Sequence, residues 1–226
     1  MSEPTIYKPS VYNGKSVYKN GAAGGGQPQI YGSVKIGNRD YKTIKYNNKE
    51  WLAENLDCKF EGFLIGMVQT TTPCCGYYNN DEDFSLDGSY KCGLLYNWYA
   101  AKYLDDNKLT LLPSGWRVPT NSDYTDLLNS LVPISQVGLL IKAQDNSVKA
   151  GFPSNWGGLN FMYMNVLPTG AFYNGSFVNL NVNTVLWTVE EYNASQAYDV
   201  FVQTNTCGFA QYDKVSGYCI RLCKDV

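Results

Sequence analysis

The chain has 226 residues, of which 44% are hydrophobic and 15% aromatic, and 18 basic against 20 acidic residues leave a net charge of −2. This composition is typical of a globular protein with a substantial core, and it disfavours a nucleic-acid partner, because phosphate binding needs concentrated lysine and arginine. The chain contains no histidine, which excludes His-dependent catalytic triads and His-bound zinc sites.

Residues 1–29 are predicted to form an attachment arm outside the folded core, and residues 30–226 a single domain. Short apolar pieces in the arm lie among Pro, Asn, Lys and Gly, and the arm contains the glycine-rich run 21–26, which has the composition of a flexible linker. The alternative is a frayed terminus. No apolar run reaches the ~18 residues of a membrane span, and the start has no apolar leader segment. We therefore expect synthesis in the cytoplasm, without membrane insertion.

The first regular elements are a hairpin and a helix. Gly and Asn in residues 37–40 predict a turn between two strands, and residues 57–91 are rich in loop-forming residues. A helix with one buried face is predicted over residues 93–104. Its apolar positions recur at helical spacing: Leu94, Trp98, Ala101 and Leu104.

A second helix is predicted to begin directly after Thr120. Asp123 follows Thr120 by three residues, which is the spacing of a capping box. The apolar positions that follow have the spacing i, i+3, i+4 and i+7: Tyr124, Leu127, Leu128 and Leu131. Short strands separated by Gly, Asn and Pro turns are predicted after this helix, at 156–161, 163–167, 170–173 and 176–178. Helices followed by strands indicate an α+β domain with an antiparallel sheet.

The segment of residues 186–221 changes character along its length. It opens and closes on apolar runs typical of buried strands. Between them Asn, Tyr, Ser, Thr, Asp, Gln, Phe and Cys alternate around a strand predicted at 197–203. Tyrosine gives contact area at low entropic cost, and Ser or Asn gives adaptable hydrogen bonds, so this composition is typical of a recognition surface.

Several motifs occur in one order along the chain: VKIG at 34–37, WLAENL at 51–56, GLLYNWYAA at 93–101, PSGWRVPT at 113–120, LWT at 186–188 and GYCIR at 217–221. Together they resemble the Fibrobacter succinogenes major paralogous domain. The resemblance implies a C-type lectin-like fold, related to that of the formylglycine-generating enzymes. It implies an antiparallel sheet with two helices, a long loop-rich region that carries the binding face, and N- and C-terminal strands that pair.

The variable proteins of diversity-generating retroelements, found in gut bacteria and their phages, often have this fold and are randomised near the 3′ end of the gene, largely at Asn codons. The resemblance implies ten variable, ligand-contacting positions: Tyr192, Asn193, Ser195, Tyr198, Asp199, Phe201, Asn205, Cys207, Phe209 and Tyr212. Glu, Gln, Lys, Trp and Met do not arise from an Asn codon by adenine changes alone. The alternatives are an undiversified binding module and a purely structural or assembly domain.

The function expected from this resemblance is non-catalytic binding of a cell-surface or secreted protein or glycan. The arm also resembles the start of some phage tail-tip proteins, which implies attachment to a larger assembly, on a virion surface or in association with a cell. No cofactor is expected. A competing hypothesis is an oxidase of the formylglycine-generating type, in which Cys219 and Cys223 would bind copper, but the spacing of these cysteines does not match that motif.

Two further metal sites can be read from the sequence. Asp81, Asp83 and Asp87 resemble the first half of a calcium loop, although no bidentate Glu follows, and an exposed acidic turn is the alternative. Four cysteines would complete a zinc site only at irregular spacing: Cys58, Cys74, Cys75 and Cys92. With seven cysteines in total, an odd number, at least one is expected to remain unpaired within the chain.

Overall fold

The computed structural model describes residues 31–46, 48–84, 92–129, 138, 140–143, 156–158, 160, 162–203 and 206–226. The predicted arm, the calcium-loop residue Asp87, the helix position Leu131 and the candidate contact Asn205 lie outside the described residues.

The described part of the chain is a mixed α+β domain made mostly of β-sheet, with three short helices. Its strands are β1 (Gly32–Ile36), β2 (Arg39–Tyr46), β3 (Lys49–Leu52), β4 (Leu64–Ile65), β5 (Cys74–Gly76), β6 (Leu95–Tyr96), β7 (Thr169–Tyr173), β8 (Ser176–Leu180), β9 (Asn183–Glu191), β10 (Gln196–Gln203), β11 (Cys207–Asp213) and β12 (Cys223–Asp225). Its helices are α1 (Trp98–Asp106), α2 (Lys108–Leu111) and α3 (Asn121–Asn129).

The N- and C-terminal strands share one antiparallel sheet of order β1-β2-β3-β12. The predicted hairpin is present, and its turn includes Gly37 at φ +58°, a backbone conformation that glycine adopts without strain. The C-terminal strand pairs with β3, with Cys223 opposite Trp51, and not with the first strand. The expected pairing of the terminal strands is therefore wrong in its partner, because β2 lies between β1 and β3 and only the free edge of β3 pairs with β12.

The first helix begins at Trp98, five residues later than the predicted start at residue 93. Leu95 and Tyr96 form strand β6, which pairs with β5, and Tyr96 also exchanges backbone hydrogen bonds with Tyr218. Helix α1 starts only after Asn97, whose side chain accepts a hydrogen bond from the Ala100 amide and so caps the helix. The error arises because pairing with distant residues overrides a local helical pattern.

Helix α3 begins where the capping box predicts. The Thr120 hydroxyl accepts a hydrogen bond from the Asp123 amide at 3.1 Å, and the Asp123 carboxylate accepts one from the Thr120 amide at 2.7 Å. Helix α2, which the sequence did not predict, is a single turn. The strands predicted at 156–161 and 163–167 are wrong as far as these residues are described, since only isolated bridges occur there.

A five-stranded sheet of order β11-β10-β9-β7-β8 divides the core into two parts. Alternate residues of β9, such as Val185 and Trp187, pack on one face with the core that includes residues of α1. Leu186, Val200 and Val202 face the other side and pack with residues of α3. The segment predicted to carry recognition residues is therefore built on β9, β10 and β11, a platform supported by helices on both faces.

Candidate functional site

The turn between β9 and β10 is held closed by the side chain of Asn193. Its amide oxygen accepts hydrogen bonds from the backbone amides of Ser195 and Gln196, both at 2.9 Å, and from the Ser195 hydroxyl at 3.1 Å. Asn and Ser at these positions favour such side-chain-stabilised turns. Asn193 is exposed, yet its side-chain amide oxygen already accepts the hydrogen bonds that shape the turn.

Lys214 holds the same turn from below. Its amide donates to the Ser195 carbonyl at 2.9 Å, its ammonium group donates to the Ala194 carbonyl at 2.9 Å, and it forms a 2.8 Å ion pair with Glu191. Lys214 is only 3% exposed, and its Nζ lies 4.8 Å from the centre of the Trp98 ring. Because its ammonium group has a hydrogen-bond acceptor, an ion-pair partner and an aromatic ring beside it, the buried lysine fixes the turn to helix α1.

Exposed aromatic rings surround this turn. Tyr192 is 51% exposed, and its ring lies edge-on to Tyr198 at 5.2 Å. On the other face of β10 and β11, Tyr212 is 37% exposed and lies edge-on to Tyr173 at 5.8 Å. We call the set Tyr173, Tyr192, Asn193, Ser195, Tyr198 and Tyr212 the hairpin surface. It combines rigid rings with hydrogen-bonding groups at one end of the five-stranded sheet.

Phe201 and Phe209, two further predicted contacts, lie farther along the strands on opposite faces. Phe201 packs against the core that contains Trp187, and Phe209 against the core that contains Leu186, and both are half-buried. The predicted contacts thus do not form one continuous patch, because successive side chains of a strand point to opposite faces of the sheet.

Two predicted contacts are buried, so the structure corrects their assignment to the ligand surface. Cys207 is 6% exposed and packs in the core beside α3, and burial raises the pKa of its thiol to about 12. Asp199 is fully buried, with 0% exposure, and burial raises the pKa of its carboxyl to about 8. Neither carboxylate oxygen of Asp199 has a hydrogen-bond partner among the described residues.

Tyr173 was missed by the sequence reasoning, which confined the candidates to the C-terminal segment. It ends β7 immediately before a tight turn at Asn174 and Gly175, both of which have positive φ. An aromatic residue directly before an Asn-Gly turn was a signal for an exposed strand end. Only the pairing of β7 with β9 reveals that this strand end lies beside Tyr212.

The motif residues outside the hairpin surface hold the scaffold together. Arg221 is buried and donates hydrogen bonds to the Asn55 side chain at 2.7 Å, to the Asn165 carbonyl at 3.1 Å and to the Met164 carbonyl. Burial lowers the pKa of its guanidinium to about 10. Gly93 has φ +84°, and a Cβ there would lie 2.7 Å from the Asn55 Cβ, so only glycine fits. These residues join the C-terminal motif to the WLAENL and GLLYNW motifs.

The other predicted metal sites find little support in the geometry. Asp81 and Asp83 are exposed, and Asp81 accepts a hydrogen bond from the Asp83 amide at 3.0 Å, as in an ordinary acidic turn. Within the described ranges, no three His, Cys, Asp or Glu side chains are grouped to hold a metal ion.

Cys219 and Cys223, the pair considered for copper, are both buried thiols with different neighbours. Cys219 Sγ lies 3.3 Å from the Thr169 hydroxyl, and Cys223 Sγ lies 3.8 Å from the Asp123 carboxylate. Burial raises the pKa of both thiols, which disfavours the thiolate form that binds metals. Cys58, Cys74, Cys75, Cys207, Cys219 and Cys223 are free thiols.

In the part of the chain that the structure describes, every helix is too short or too polar to cross a membrane. Searches of curated proteins and of solved structures found no match. The model of the Fibrobacter succinogenes major domain family matches residues 44–224, from the β2 strand to the C-terminal strand. This range includes the motifs at 51–56, 93–101, 113–120, 186–188 and 217–221, and it covers most of the chain, so the protein belongs to the Fibrobacter succinogenes major domain family.

Proposed function

We propose that the protein is a non-catalytic binding domain with a C-type lectin-like fold, and that the hairpin surface contacts a cell-surface or secreted protein or glycan. The observation that carries this proposal is the contrast between the exposed ring of Tyr192 and the buried Lys214 directly beneath its turn. Exposed tyrosines on a rigid turn provide contact area with little loss of side-chain entropy on binding.

Diversification by a retroelement fits the division of residue types at this site. The exposed residues Tyr192, Asn193, Ser195 and Tyr212 and the half-buried Tyr198 are all of types that adenine changes in an Asn codon produce. The residues that hold the turn, Glu191, Lys214 and Trp98, are of types that such changes do not produce. Variation of Tyr192, Tyr198 and Tyr212 would change the contact surface without removing the contacts that hold the turn, whereas variation of Asn193 would also remove the side-chain hydrogen bonds that close it.

The proposed partners follow from this role. The arm of residues 1–29 would join the domain to a larger assembly, such as a phage tail or a cell-associated complex. An undiversified assembly domain of the same family would instead bury the hairpin surface in a permanent interface, and it would give a constitutive oligomer.

A direct test uses a double substitution, Tyr192→Ser with Tyr212→Ser, on arrays of bacterial surface glycans and secreted proteins. The expected result is a changed set of bound array members with a melting temperature within a few degrees of the parent chain. The matched control is Tyr103→Ser, an exposed tyrosine on α1 outside the hairpin surface, which should leave the set unchanged. An unchanged set in the double variant would contradict the assignment of the surface, and a collapse of stability would place both rings in the core.

Diversification is tested separately from the encoding DNA. The expected finding is a near-copy of the 3′ end of the gene that differs only at adenines and lies beside a reverse-transcriptase gene. If the variable positions in that copy encode Lys214 or Glu191 and omit Tyr192 and Tyr212, the assignment of the surface is wrong. If there is no such copy, the domain is an undiversified member of the family.

A further inference from the structure

Strand β11 lies at one edge of the five-stranded sheet, where β10 is its neighbour among the described strands. The hydrogen bonds at the two ends of this pairing determine which backbone groups point inward. The Lys214 amide donates to the Ser195 carbonyl at 2.9 Å, and the Gln203 amide donates to the Thr206 carbonyl at 2.8 Å. The register between these ends is continuous, so residues of β11 alternate between bonding to β10 and pointing away from it.

The residues that point away from β10 include Phe209 and Gln211. Within the described ranges, no other strand bonds to the amides and carbonyls of these two residues. Gln211 is exposed and Phe209 is half-buried, so this side of the strand reaches solvent. Residues two apart in a strand lie about 6.8 Å apart, and the edge therefore offers donors and acceptors at the spacing of a second extended strand.

This edge lacks the features that usually protect an edge strand. Such strands are blunted by lysine, proline, a bulge or a covering segment, because their free hydrogen-bonding groups otherwise pair with another chain. The sequence of β11 is CGFAQYD, which contains neither lysine nor proline, and its pairing with β10 has no bulge. The charged residue of the strand, Asp213, stands at its end. An edge of this kind beside the hairpin surface can accept an added strand.

The side chains beside the edge favour an apolar residue in the added strand. Gly208, Ala210 and Tyr212 share one face of β11, because they are two residues apart. The Phe201 ring lies over Gly208, where a Cβ atom would be 3.0 Å from the ring. The small Ala210 thus lies between two aromatic side chains, and a side chain added opposite it comes within reach of both.

The charges near the edge favour a basic partner. Among the described residues of 183–214, the charged side chains that reach solvent are all acidic, namely Glu190, Glu191 and Asp213. Lys214 is only 3% exposed, and it already pairs with Glu191. Asp213, at the end of the edge, has no ion-pair partner in the part of the chain that the structure describes. A lysine or arginine beside Asp213 would complement this charge.

We propose that the edge of β11 binds an extended segment of a protein ligand, which adds to the sheet as a further strand and carries a basic residue near Asp213. This inference rests on the proposed function, because it specifies the ligand of the hairpin surface as a protein and not a glycan. Backbone hydrogen bonds to Phe209 and Gln211 supply affinity that does not depend on side-chain identity. The side chains of Tyr192 and Tyr212 supply the specificity.

The test titrates the isotope-labelled full chain with the acetylated and amidated peptide KTVTVTK, followed by NMR. The expected result is saturable binding, with the largest shifts and slowed hydrogen exchange at the Phe209 and Gln211 amides. The same peptide N-methylated at its five central residues keeps every side chain and both charges but loses the amides that pair with an edge. It should bind about tenfold more weakly or worse, since the backbone hydrogen bonds are removed.

Two substitutions at one position separate the backbone from the side chain. Gln211→Pro removes an outward amide that β10 does not use, and proline is tolerated where the amide of an edge strand faces solvent. It should weaken peptide binding about tenfold, whereas the matched control Gln211→Ala should change it by less than about twofold. Asp213→Asn should weaken binding by about two- to fivefold, as expected for an exposed ion pair. The methylated peptide guards against a change of fold, because it leaves the protein unaltered.

Three results would each overturn the edge site: no saturable binding of KTVTVTK, equal binding of the methylated peptide, or equal losses in Gln211→Pro and Gln211→Ala. Sedimentation of the chain alone tests a different occupant. A dimer that Gln211→Pro converts to a monomer would show that a second copy occupies the edge, and it would overturn the assignment to a ligand segment.

The edge site and the proposed function fail in different ways. An array profile that changes in the double variant Tyr192→Ser with Tyr212→Ser, in a chain that does not bind KTVTVTK, would overturn the edge site and leave the binding surface. Peptide binding that is lost in Gln211→Pro, in a chain whose array profile ignores the double substitution, would retain the edge site and overturn the role of the hairpin surface.

Discussion

The indole nitrogen of Trp187 donates a hydrogen bond of 2.8 Å to the backbone carbonyl of Tyr96, although the two residues are 91 positions apart. Trp98 makes the reciprocal contact, donating from its indole to the Thr188 carbonyl at 3.1 Å. Two tryptophans thus join β9 to strand β6 and to the first residue of α1. The strand that precedes the hairpin surface is fixed by these bonds, so the position of the exposed rings depends on residues that never contact solvent.

Replacement of Trp187 by Phe should lower the free energy of unfolding by about 2–4 kcal/mol. The change removes one of the two hydrogen bonds that the buried Tyr96 carbonyl accepts, leaving the one from the Tyr218 amide, and it opens a space beside Tyr218. The measurement is guanidinium denaturation followed by circular dichroism. Tyr192→Phe, a matched aromatic change at an exposed position, should alter the same quantity by less than about 0.5 kcal/mol. A loss below about 1 kcal/mol in Trp187→Phe would show that this cross-link is dispensable.

Asn97→Ala should also destabilise the domain by about 2–4 kcal/mol. The buried Asn97 side chain accepts hydrogen bonds from the amides of Ala100 and Cys74, and it donates to the carbonyls of Thr70 and Thr72. Alanine would leave the buried Cys74 amide without this acceptor and would remove the hydrogen bonds that join residues 70–74 to the start of α1. Thermal and chemical denaturation measure the effect.

The control for this change is Asn107→Ala at the other end of α1. Asn107 donates only one exposed side-chain hydrogen bond, to the Tyr103 carbonyl, and its loss should cost less than about 1 kcal/mol. Equal losses in the two variants would contradict the idea that Asn97 joins the loop before β5 to the helix.

The sequence predicted the features that depend on neighbouring residues, and its predictions were wrong where contacts with distant residues determine the local structure. The Thr120–Asp123 capping box was predicted because all of its hydrogen bonds lie within four residues. The start of α1 was misplaced because Tyr96 pairs with Tyr218, more than a hundred residues away. The partner of β12 was wrong for the same reason, since no local pattern specifies which strand edge remains free.

The candidate site was predicted in its location but not in its orientation. Residue types identified the β9–β10 turn, yet they did not reveal which side chains of β10 point inward. Asp199 and Tyr198 are equally compatible with an exposed strand, and only the pairing of β10 with two neighbours shows that Asp199 is buried. Tyr173 was missed because its proximity to Tyr212 results from the packing of β7 in the sheet.

Asp123→Asn should make the protein less stable at neutral pH and less sensitive to acid. Burial acts to raise the pKa of Asp123, but hydrogen bonds from Arg117, Thr120 and Lys49 outweigh it and hold the pKa below its ordinary value. A carboxyl group with a lowered folded-state pKa stabilises the protein above the unfolded-state pKa, near 3.8, and this stabilisation is lost as the pH falls through the folded-state pKa. We expect a loss of about 2–4 kcal/mol at pH 7, because Arg117 and Lys49 lose their shared charged partner.

The measurement is the free energy of unfolding at pH 7 and at pH 3 for the parent chain and the variant, whose difference should shrink as the pH falls. Asp106→Asn removes an exposed carboxylate paired with Lys102 on the surface of α1, and it should change stability by less than about 1 kcal/mol at either pH. A difference between parent and Asp123→Asn that is the same at both values would contradict the assigned role.

Lys214→Met should loosen the β9–β10 turn while the rest of the sheet stays folded. Methionine keeps the apolar stem but removes the hydrogen bond to the Ala194 carbonyl and the ion pair with Glu191. The expected result is faster amide hydrogen exchange at Ser195 and Gln196 and a global loss of about 1–2 kcal/mol. Lys102→Met, at an exposed position on α1, is the control and should leave exchange in the turn unchanged. Unchanged protection in Lys214→Met would show that the Lys214 side chain is not needed to hold the turn.

Asp199→Asn should stabilise the protein, and increasingly so as the pH rises from about 5 to 8. Burial raises the pKa of the Asp199 carboxyl to about 8 from an ordinary value of 3.8. Between these values the unfolded chain is ionised and the folded chain binds a proton, so the unfolded state binds fewer protons and stability falls as the pH rises. The loss has an upper limit of about 1.4 kcal/mol per pH unit and ends above the folded-state pKa.

The other ionisable group beside Asp199 is Tyr218, and burial raises the pKa of its phenol beyond this range, so it does not contribute. The amide of asparagine does not ionise, and the variant should therefore show a flatter dependence of unfolding free energy on pH. Denaturation curves at pH 5, 6, 7 and 8 measure the slope in both proteins. Parallel slopes would mean that the Asp199 carboxylate is stabilised in the folded protein by a charged or hydrogen-bonding partner.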